Sequence, residues 1–368
     1  MHLPHLSSND RVFFRIDGNV PLENGKILND FRLRALIPTL SFLKESGAAI
    51  MIATHIGRPV GFDPALSTKF LRPWFDNHGF SSFVLHENLR FDPREQQGSE
   101  ELAQSYAQDF NWYLTDAWGV LHRHDTSVTL LPRLFPKNRR SIGLLIDHEL
   151  EHLWPLRTGP QPPFVTMVGG GKPETKLSYL TDLVKTGHIQ TIVPLPANIF
   201  SLLAALGKSV GLSLVTDELI EQARKLLAAA QAHSVELIFP KDFVIATGSW
   251  DGPRSIISAN EPFPANAIGI SVGPETLTQL TRIIAGAGTV FYNGLMGNIH
   301  DTVLNEPLFD ALSSTNAYTV LGGGDAVSMA EKLGKLEKIG FCSTGGGSTL
   351  AFISGTELPG LVALGITH

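Results

Sequence analysis

Short apolar runs alternate with amphipathic stretches along nearly the whole chain, and that alternation leaves few folds open. In the first half Arg11–Ile16, 48–54 and 112–115 read as strands, with 30–46 and 100–109 as helices between them. Leu33, Leu36, Ile37 and Leu40 fall on one face of the first helix. The second half repeats the rhythm, with Phe164–Val168, 191–193, 236–239, 289–292 and 318–321 as strands. Segments 175–185, Asp217–Ala232, 275–285 and 326–333 are the helices between them. Antiparallel neighbours need only a hairpin, whereas a helix between two strands favours parallel pairing through a right-handed crossover. The fold class is therefore α/β, with parallel sheets flanked by helices. At 368 residues the chain exceeds one ordinary core. Segment 156–163, with Gly159 and three prolines, is the best boundary, and it predicts domains at 1–157 and 158–356.

Composition narrows the function. Hydrophobic residues make up 43% and charged residues 17%, which is globular and excludes a disordered chain. The single cysteine, Cys342, can form no internal disulfide, so a reducing compartment fits best. Residues 1–10 lack the apolar core of a signal peptide, and no apolar run is long enough to span a membrane. A cytoplasmic protein with no membrane partner is expected. The net charge of −6 argues against nucleic acid as a partner. Thirteen of the 16 arginines lie at or before Arg157, while 26 of the 35 glycines lie after it. Arginine captures phosphate and carboxylate in two-pronged fashion. Glycine lets backbone approach a ligand closely. One half is thus suited to hold a small anion with side chains, the other to hold a ligand with its main chain.

Three glycine clusters dominate the second half, at 169–171, 322–324 and 345–347. Each stands between a strand and a helix, where free N–H groups and the helix dipole favour phosphate. Any one of them serves equally well as a tight turn. Three in one domain, each beside a charged or hydroxyl residue, point to a nucleotide. Neither standard fingerprint is met: the spacing G-x-G-x-x-G is missing, and Gly207-Lys208-Ser209 lacks the earlier glycine of a P-loop, where Leu202 stands. Asp325 is placed to hold Mg²⁺ against nucleotide phosphates, or to cap a helix, and the roles are compatible. Lys172 and Lys176, four apart, straddle a helix start, so both ammoniums could reach one transferring phosphoryl group. A cation at a helix start opposes the dipole, which a bound anion would offset. In the first half Arg32, His55, Arg58, Arg90 and Arg123 stand at or near segment ends. Converging from separate loops, they would form a pocket for a compact polyanion.

Ten segments in collinear order resemble the phosphoglycerate kinase family. They are RIDGNVP (15–21), NDFRLRALIPTL (29–40), HIGRP (55–59), ENLRF (87–91), TDAWGVLHR (115–123), VGGGKPETK (168–176), YNGLMG (292–297), GGGDA (322–326), STGGGST (343–349) and ELPG (357–360). The resemblance implies two Rossmann-like domains joined by a hinge, with 3-phosphoglycerate on the first and nucleotide on the second, and with 357–368 packing back on the first. It implies that Asp17, Asn19 and His55 bind the glycerate end, and that Arg32, Arg58, Arg90 and Arg123 form the basic patch. Arg32, Lys172 and the amides of Gly345 and Gly346 would surround the transferring phosphoryl group. Gly170, Lys176, Asn293 and Gly322, Gly323, Gly324 and Asp325 would hold ATP or ADP, with Asp325 serving Mg²⁺. A monomer is expected.

Departures from the family pattern fall mostly on the nucleotide side. Pro194-Leu195-Pro196-Ala197 stands where a glycine-rich segment is usual, and prolines remove donors and stiffen the turn. His300 replaces a glutamate that bonds the ribose, and Ala326 a hydroxyl residue after the aspartate. Gly18 stands where phenylalanine or leucine is common. Two functions follow as expectations. One is a working kinase that transfers a phosphoryl group between 1,3-bisphosphoglycerate and ADP. The other is a weakly active or non-catalytic phosphoglycerate-binding homologue with an eroded nucleotide site.

Overall fold

The computed structural model describes residues 4–366. The chain divides inside the helix Leu144–Thr158: one unit runs to His152 and takes up the tail from Glu357, and the other is Leu153–Thr356. The expected boundary at 157/158 falls at the end of this same helix, which runs on through Pro155. A proline inside a helix forfeits one backbone hydrogen bond, and here that loss does not end the helix.

The first unit is built on five parallel strands in the order Val84–Leu85, Ala49–Ala53, Arg11–Ile16, Trp112–Asp116, Arg140–Ile142. The chain starts at Arg11–Ile16, winds out to one edge, then returns and winds out to the other. Beside Arg11–Ile16 the winding reverses, and there an open parallel sheet leaves a crevice beyond the strands' carboxyl ends. The central strand is sealed on both faces, since Val12, Phe13, Phe14, Arg15 and Ile16 are all fully buried. A fully buried arginine among them demands partners, and they belong to the site described below. The tail returns as the helix Pro359–Leu364, where the Gly360 amide donates to Leu121 O at 2.9 Å.

The second unit holds six parallel strands in the order Glu236–Leu237, Thr191–Pro194, Phe164–Val168, Thr289–Asn293, Tyr318–Gly322, Phe341–Ser343. It winds in the same way, and its reversal lies between Phe164–Val168 and Thr289–Asn293. The α/β class read from the alternation holds in both units.

Two features depart from the sequence reading. The stretch 30–46 is two helices, Phe31–Arg34 and Ile37–Ser46, because Pro38 lacks the N–H that would bond Arg34 O. The second unit also carries a three-stranded antiparallel sheet, Arg254–Ser258, Asp242–Thr247 and Ala267–Val272, absent from the expected parallel plan. It packs on the helix Asn198–Ala205 through Phe200, Phe243 and Phe263, whose ring centroids lie 6.0–6.1 Å apart. Gly269 makes room for this, since a Cβ there would lie 1.9 Å from the Phe200 ring.

Asp116, at the end of Trp112–Asp116, accepts from the Ile146 amide at 3.0 Å and so braces the first turn of Leu144–Thr158. Burial pushes its carboxyl up to about 7 despite hydrogen bonds from Thr39 and the amides of Ile146, Leu145 and Gly143. Its folded pKa lies above its ordinary 3.8, so its contribution to stability is full below pH 3.8 and is lost as pH rises through about 7. Asp116→Asn should therefore gain on the natural chain by about 2 kcal/mol between pH 5 and pH 8, read by denaturant unfolding at both pH values. A pH-independent difference would contradict this account.

Candidate active site

Both sets of site residues follow the carboxyl ends of strands in the parallel sheets, on loops and on the first turns of the helices that come after them. In the first unit the loop after Arg11–Ile16 supplies Asp17, Gly18 and Asn19. The Gly18 amide donates to Thr54 Oγ1 at 2.8 Å, and a Cβ at Gly18 would lie 3.1 Å from both Thr54 and Leu71. The glycine thus lets this loop settle against the neighbouring strand end, and a larger residue would need both neighbours to give. Asn19 Oδ1 accepts from the Gly57 amide at 2.8 Å, and Arg90 Nη1 donates to Gly57 O at 2.7 Å. Arg32 Nη1 donates to Asn19 O at 2.8 Å and lies 3.4 Å from Asp17 Oδ2. Asp17, Asn19, Arg32 and Arg90 are therefore joined in one network, with Gly57 between His55 and Arg58 as its hub.

His55 enters through Arg15. Its Nδ1 lies 3.4 Å from Arg15 Nη2, and the imidazole is buried. Arg15 Nε donates to Ser127 Oγ at 2.8 Å, and Ser127 in turn donates its hydroxyl and its amide to Glu95. The charges of Arg15 and Glu95 are thus bridged by a serine in the interior. Burial pushes Glu95 up to about 7, against the pull of Arg15 and the bonds from Ser127. Arg90 Nη2 stands 3.8 Å from Asp125, whose carboxyl is also raised by burial. Arg123 is held below its ordinary value, first by burial, and Arg15 and Arg58 beside it lower it further while Asp125 and Asp17 oppose. Arg58 is exposed and joins the group through this proximity. Five arginines face three carboxylates here, two of them with raised pKa values, and such a surplus suits an anion.

In the second unit the loops converge by main-chain approach. The Gly169 amide donates to Asn293 O at 2.8 Å, and a Cβ at Gly169 would lie 2.4 Å from Leu195 Cβ. Gly294 has φ +128°, and a Cβ there would lie 2.7 Å from Gly169 O. Asn293 donates Nδ2 to Gly322 O, and the Gly323 amide donates to Gly345 O at 2.9 Å. Gly169–Gly170, Asn293, Gly322–Gly323 and Gly345–Gly346 therefore form one surface. Asn293 Oδ1 is buried with no partner among the described residues, an acceptor a ligand could use.

Several amides of this surface are already engaged. The Gly170 amide donates to Pro196 O at 2.9 Å, so the proline segment closes on the first glycine loop. The Gly345 amide donates to Ser343 Oγ at 3.2 Å, so it is not an idle phosphate donor. Charge comes from Lys172, Lys176 and Asp325. Lys172 is exposed just ahead of the helix Pro173–Lys185, with φ 58° and ψ 57°. Lys176 donates Nζ to Gly169 O. Its pKa is lowered to about 8, chiefly by burial, with Asp325 opposing and nearby Lys172 adding to the fall. Asp325 lies in the first turn of Gly324–Lys332 with Gly323 as the cap, so it is not itself the cap. As an exposed carboxylate at a glycine-lined strand end it fits a hard cation shared with phosphate oxygens. His300 is exposed in the turn before Thr302–Ser314, and no hydrogen bond ties its imidazole to the glycine loops among the described residues.

Sequence reasoning missed Glu95, Ser127 and Asp125. Glu95 lies in the polar run REQQ, which reads as a solvated face, yet it is fully buried. Arg15, inside an apolar strand pattern, was the available signal: a buried guanidinium requires acidic company.

Comparison with known proteins agrees with this geometry. The family model described as phosphoglycerate kinase matches residues 5–79 and 75–356. The phosphoglycerate kinase of Anaeromyxobacter dehalogenans (strain 2CP-C) is 33% identical over 387 residues, covering 96% of this chain and 96% of the relative. That of Thermus thermophilus is 33% identical over 386 residues with the same coverage. The crystal structure of phosphoglycerate kinase from Pyrococcus horikoshii OT3 superposes with a TM-score of 0.83 at 25% identity, over 98% of this chain and 97% of that one. The structure from Coxiella burnetii gives 0.78 at 28% identity, over 99% and 97%.

The close approach at Gly294 is open to a direct check. Gly294→Ala places a Cβ against Gly169 O at a positive φ, and should cost about 3 kcal/mol or more in denaturant unfolding. A loss below about 0.5 kcal/mol, the level of a neutral surface change, would show that the loops are not held this tightly.

Proposed function

The chain belongs to the phosphoglycerate kinase family, and from that premise we propose that it catalyses reversible, Mg²⁺-dependent phosphoryl transfer between 1,3-bisphosphoglycerate and ADP, giving 3-phosphoglycerate and ATP. The observation that carries this reading is the network of Asp17, Asn19, Arg32 and Arg90 around Gly57, with Arg123 crowded by further arginines. Such a cluster suits a small, highly charged anion bearing hydroxyl and carboxylate groups. In this reading Asp17, Asn19 and His55 take the glycerate end, and Arg58, Arg90 and Arg123 its phosphate. Gly170, Lys176, Asn293, His300 and Gly322, Gly323, Gly324 and Asp325 take the nucleotide. No observation favours a binding protein without catalysis.

The mechanism needs little covalent help. In an acyl phosphate the leaving group is a carboxylate, stable as an anion without a proton, so no general acid is required. Catalysis then reduces to positioning and to neutralising charge on the phosphoryl oxygens. Arg32 and Lys172 are the cations proposed for that task, with Gly345 and Gly346 lining the same phosphoryl group. Arg32 is oriented by Asn19 O and Asp17, which fixes its guanidinium before substrate arrives. A Mg²⁺ ion held by Asp325 would supply further neutralisation of the nucleotide phosphates. No helix among the described residues is long and apolar enough to cross a membrane.

A coupled assay of 3-phosphoglycerate phosphorylation against a nucleotide panel tests the proposal, and no turnover with any nucleotide would overturn it. Arg32→Ala and Lys172→Ala should each lower kcat on the order of a hundredfold while leaving Tm almost unchanged. Near-wild-type kcat in either variant would remove that residue from the transfer step. Lys176 generates a pH signature. With its pKa lowered to about 8 it is largely neutral above that pH, and a bound polyphosphate restores its proton. Nucleotide affinity should therefore fall as pH rises above about 8, with proton uptake on binding. Calorimetry in two buffers of different ionisation heat reads this uptake, and Lys176→Met should abolish it. Uptake persisting in that variant would assign the proton elsewhere.

A further inference from the structure

Outside the sites described above, one side-chain cluster among the described residues has the chemistry of a metal site. His148, Glu151 and His152 lie on the helix Leu144–Thr158, and their ligand atoms all fall within 4.8 Å of one another. We propose that these three residues bind one divalent d-block cation of the Zn²⁺, Co²⁺ or Ni²⁺ type. The spacing carries the first part of the argument. Residues three and four apart share a helix face, so His148 sits over both Glu151 and His152. The imidazoles of His148 and His152 stand with centroids 4.1 Å apart at 61°, side by side on that face. Tetrahedral zinc bonded to nitrogen at about 2.0–2.1 Å places its donors about 3.4 Å apart, within reach of small rotations of the exposed His148 and Glu151 side chains towards the half-buried His152.

The second part is orientation. His152 Nδ1 lies 3.0 Å from His148 O, so the ring donates there and its Nε2 carries the lone pair. A backbone carbonyl holding the distal N–H is the arrangement that orients metal-bound histidines.

The donor set selects the ion. Two imidazoles and a carboxylate suit Zn²⁺, Co²⁺ and Ni²⁺, whereas Mg²⁺ prefers oxygen ligands and retains its water. The segment 148–152 reads HELEH and therefore also carries the H-E-x-x-H spacing of helical zinc hydrolases. Glu149, which would be the general base in such an enzyme, is fully buried, away from the exposed face that bears the imidazoles. The site therefore holds an ion without activating water for hydrolysis. It is independent of the kinase reading and stands or falls without it.

Titration of the chelator-stripped full chain with Zn²⁺ by calorimetry, and with Co²⁺ by visible d–d absorption, tests the proposal. One equivalent should bind in the presence of millimolar Mg²⁺. His148→Ala and His152→Ala should each lose that equivalent, and Glu151→Gln should weaken it. His233→Ala, an exposed histidine on another helix end, should keep it. Circular dichroism on each variant checks that the fold is intact. The proposal is overturned if the natural chain takes up no metal, if Mg²⁺ displaces it, or if both histidine variants bind as the natural chain does.

Discussion

Parallel strand pairing is the constraint from which the rest of this molecule follows. Parallel neighbours cannot be joined by a tight hairpin, so each connection travels back over a face of the sheet as a helix. Every strand then ends at the same edge, and every loop that could bear chemistry is delivered there. The winding reverses beside Arg11–Ile16 and beside Phe164–Val168, so at each of these places two loops leave neighbouring strands for opposite faces of the sheet. In the first unit these loops are Asp17–Asn19 on one side and the Trp118–Arg123 segment on the other. In the second they are Gly169–Lys172 and Asn293–Gly294, which there pack against each other. The residues named in both sites are the ones this geometry presents.

The two candidate sites are built by different physics. In the first, arginines are braced by carboxylates and carbonyls, as with Arg32 on Asp17 and Asn19 or Arg90 on Gly57 O. Each guanidinium is stiffened before a ligand arrives, which lowers the entropy lost on binding. In the second, side chains are few and the backbone does most of the shaping. Much of its hydrogen-bonding capacity is turned inward, as the Gly169, Gly170, Gly323 and Gly345 amides show. Lysine charge and the side-chain carbonyl oxygen of Asn293 remain to face a ligand.

The alternation of apolar runs made the two parallel sheets legible, and the clustering of glycine after strands made the second site's loops legible. The antiparallel sheet was less so, because its strands are separated by turns rich in glycine and proline that resemble an irregular loop. The break at Pro38 was written in the sequence but hidden by an apolar face that continues across it. Arginines at strand ends suggested a pocket, while their acidic partners did not, since Glu95 becomes meaningful only once Arg15 is seen to be buried beside Ser127. Likewise, the glycine clusters pointed to open amides, and the structure spends several of these on its own carbonyls and hydroxyls. Whether a donor is idle depends on its distance to a partner, and no linear pattern carries that.

Lys172 occupies a left-handed backbone conformation, with φ 58° and ψ 57°, that glycine adopts freely and lysine does not. For a residue with a Cβ this region costs about 1 kcal/mol or more. Selection for thermal tolerance alone would therefore favour Lys172→Gly, relaxing the turn ahead of Pro173–Lys185 and deleting an exposed ammonium from a helix start that repels it. Durability and chemistry pull in opposite directions at this one position, and a chain optimised for the first would drift away from the second.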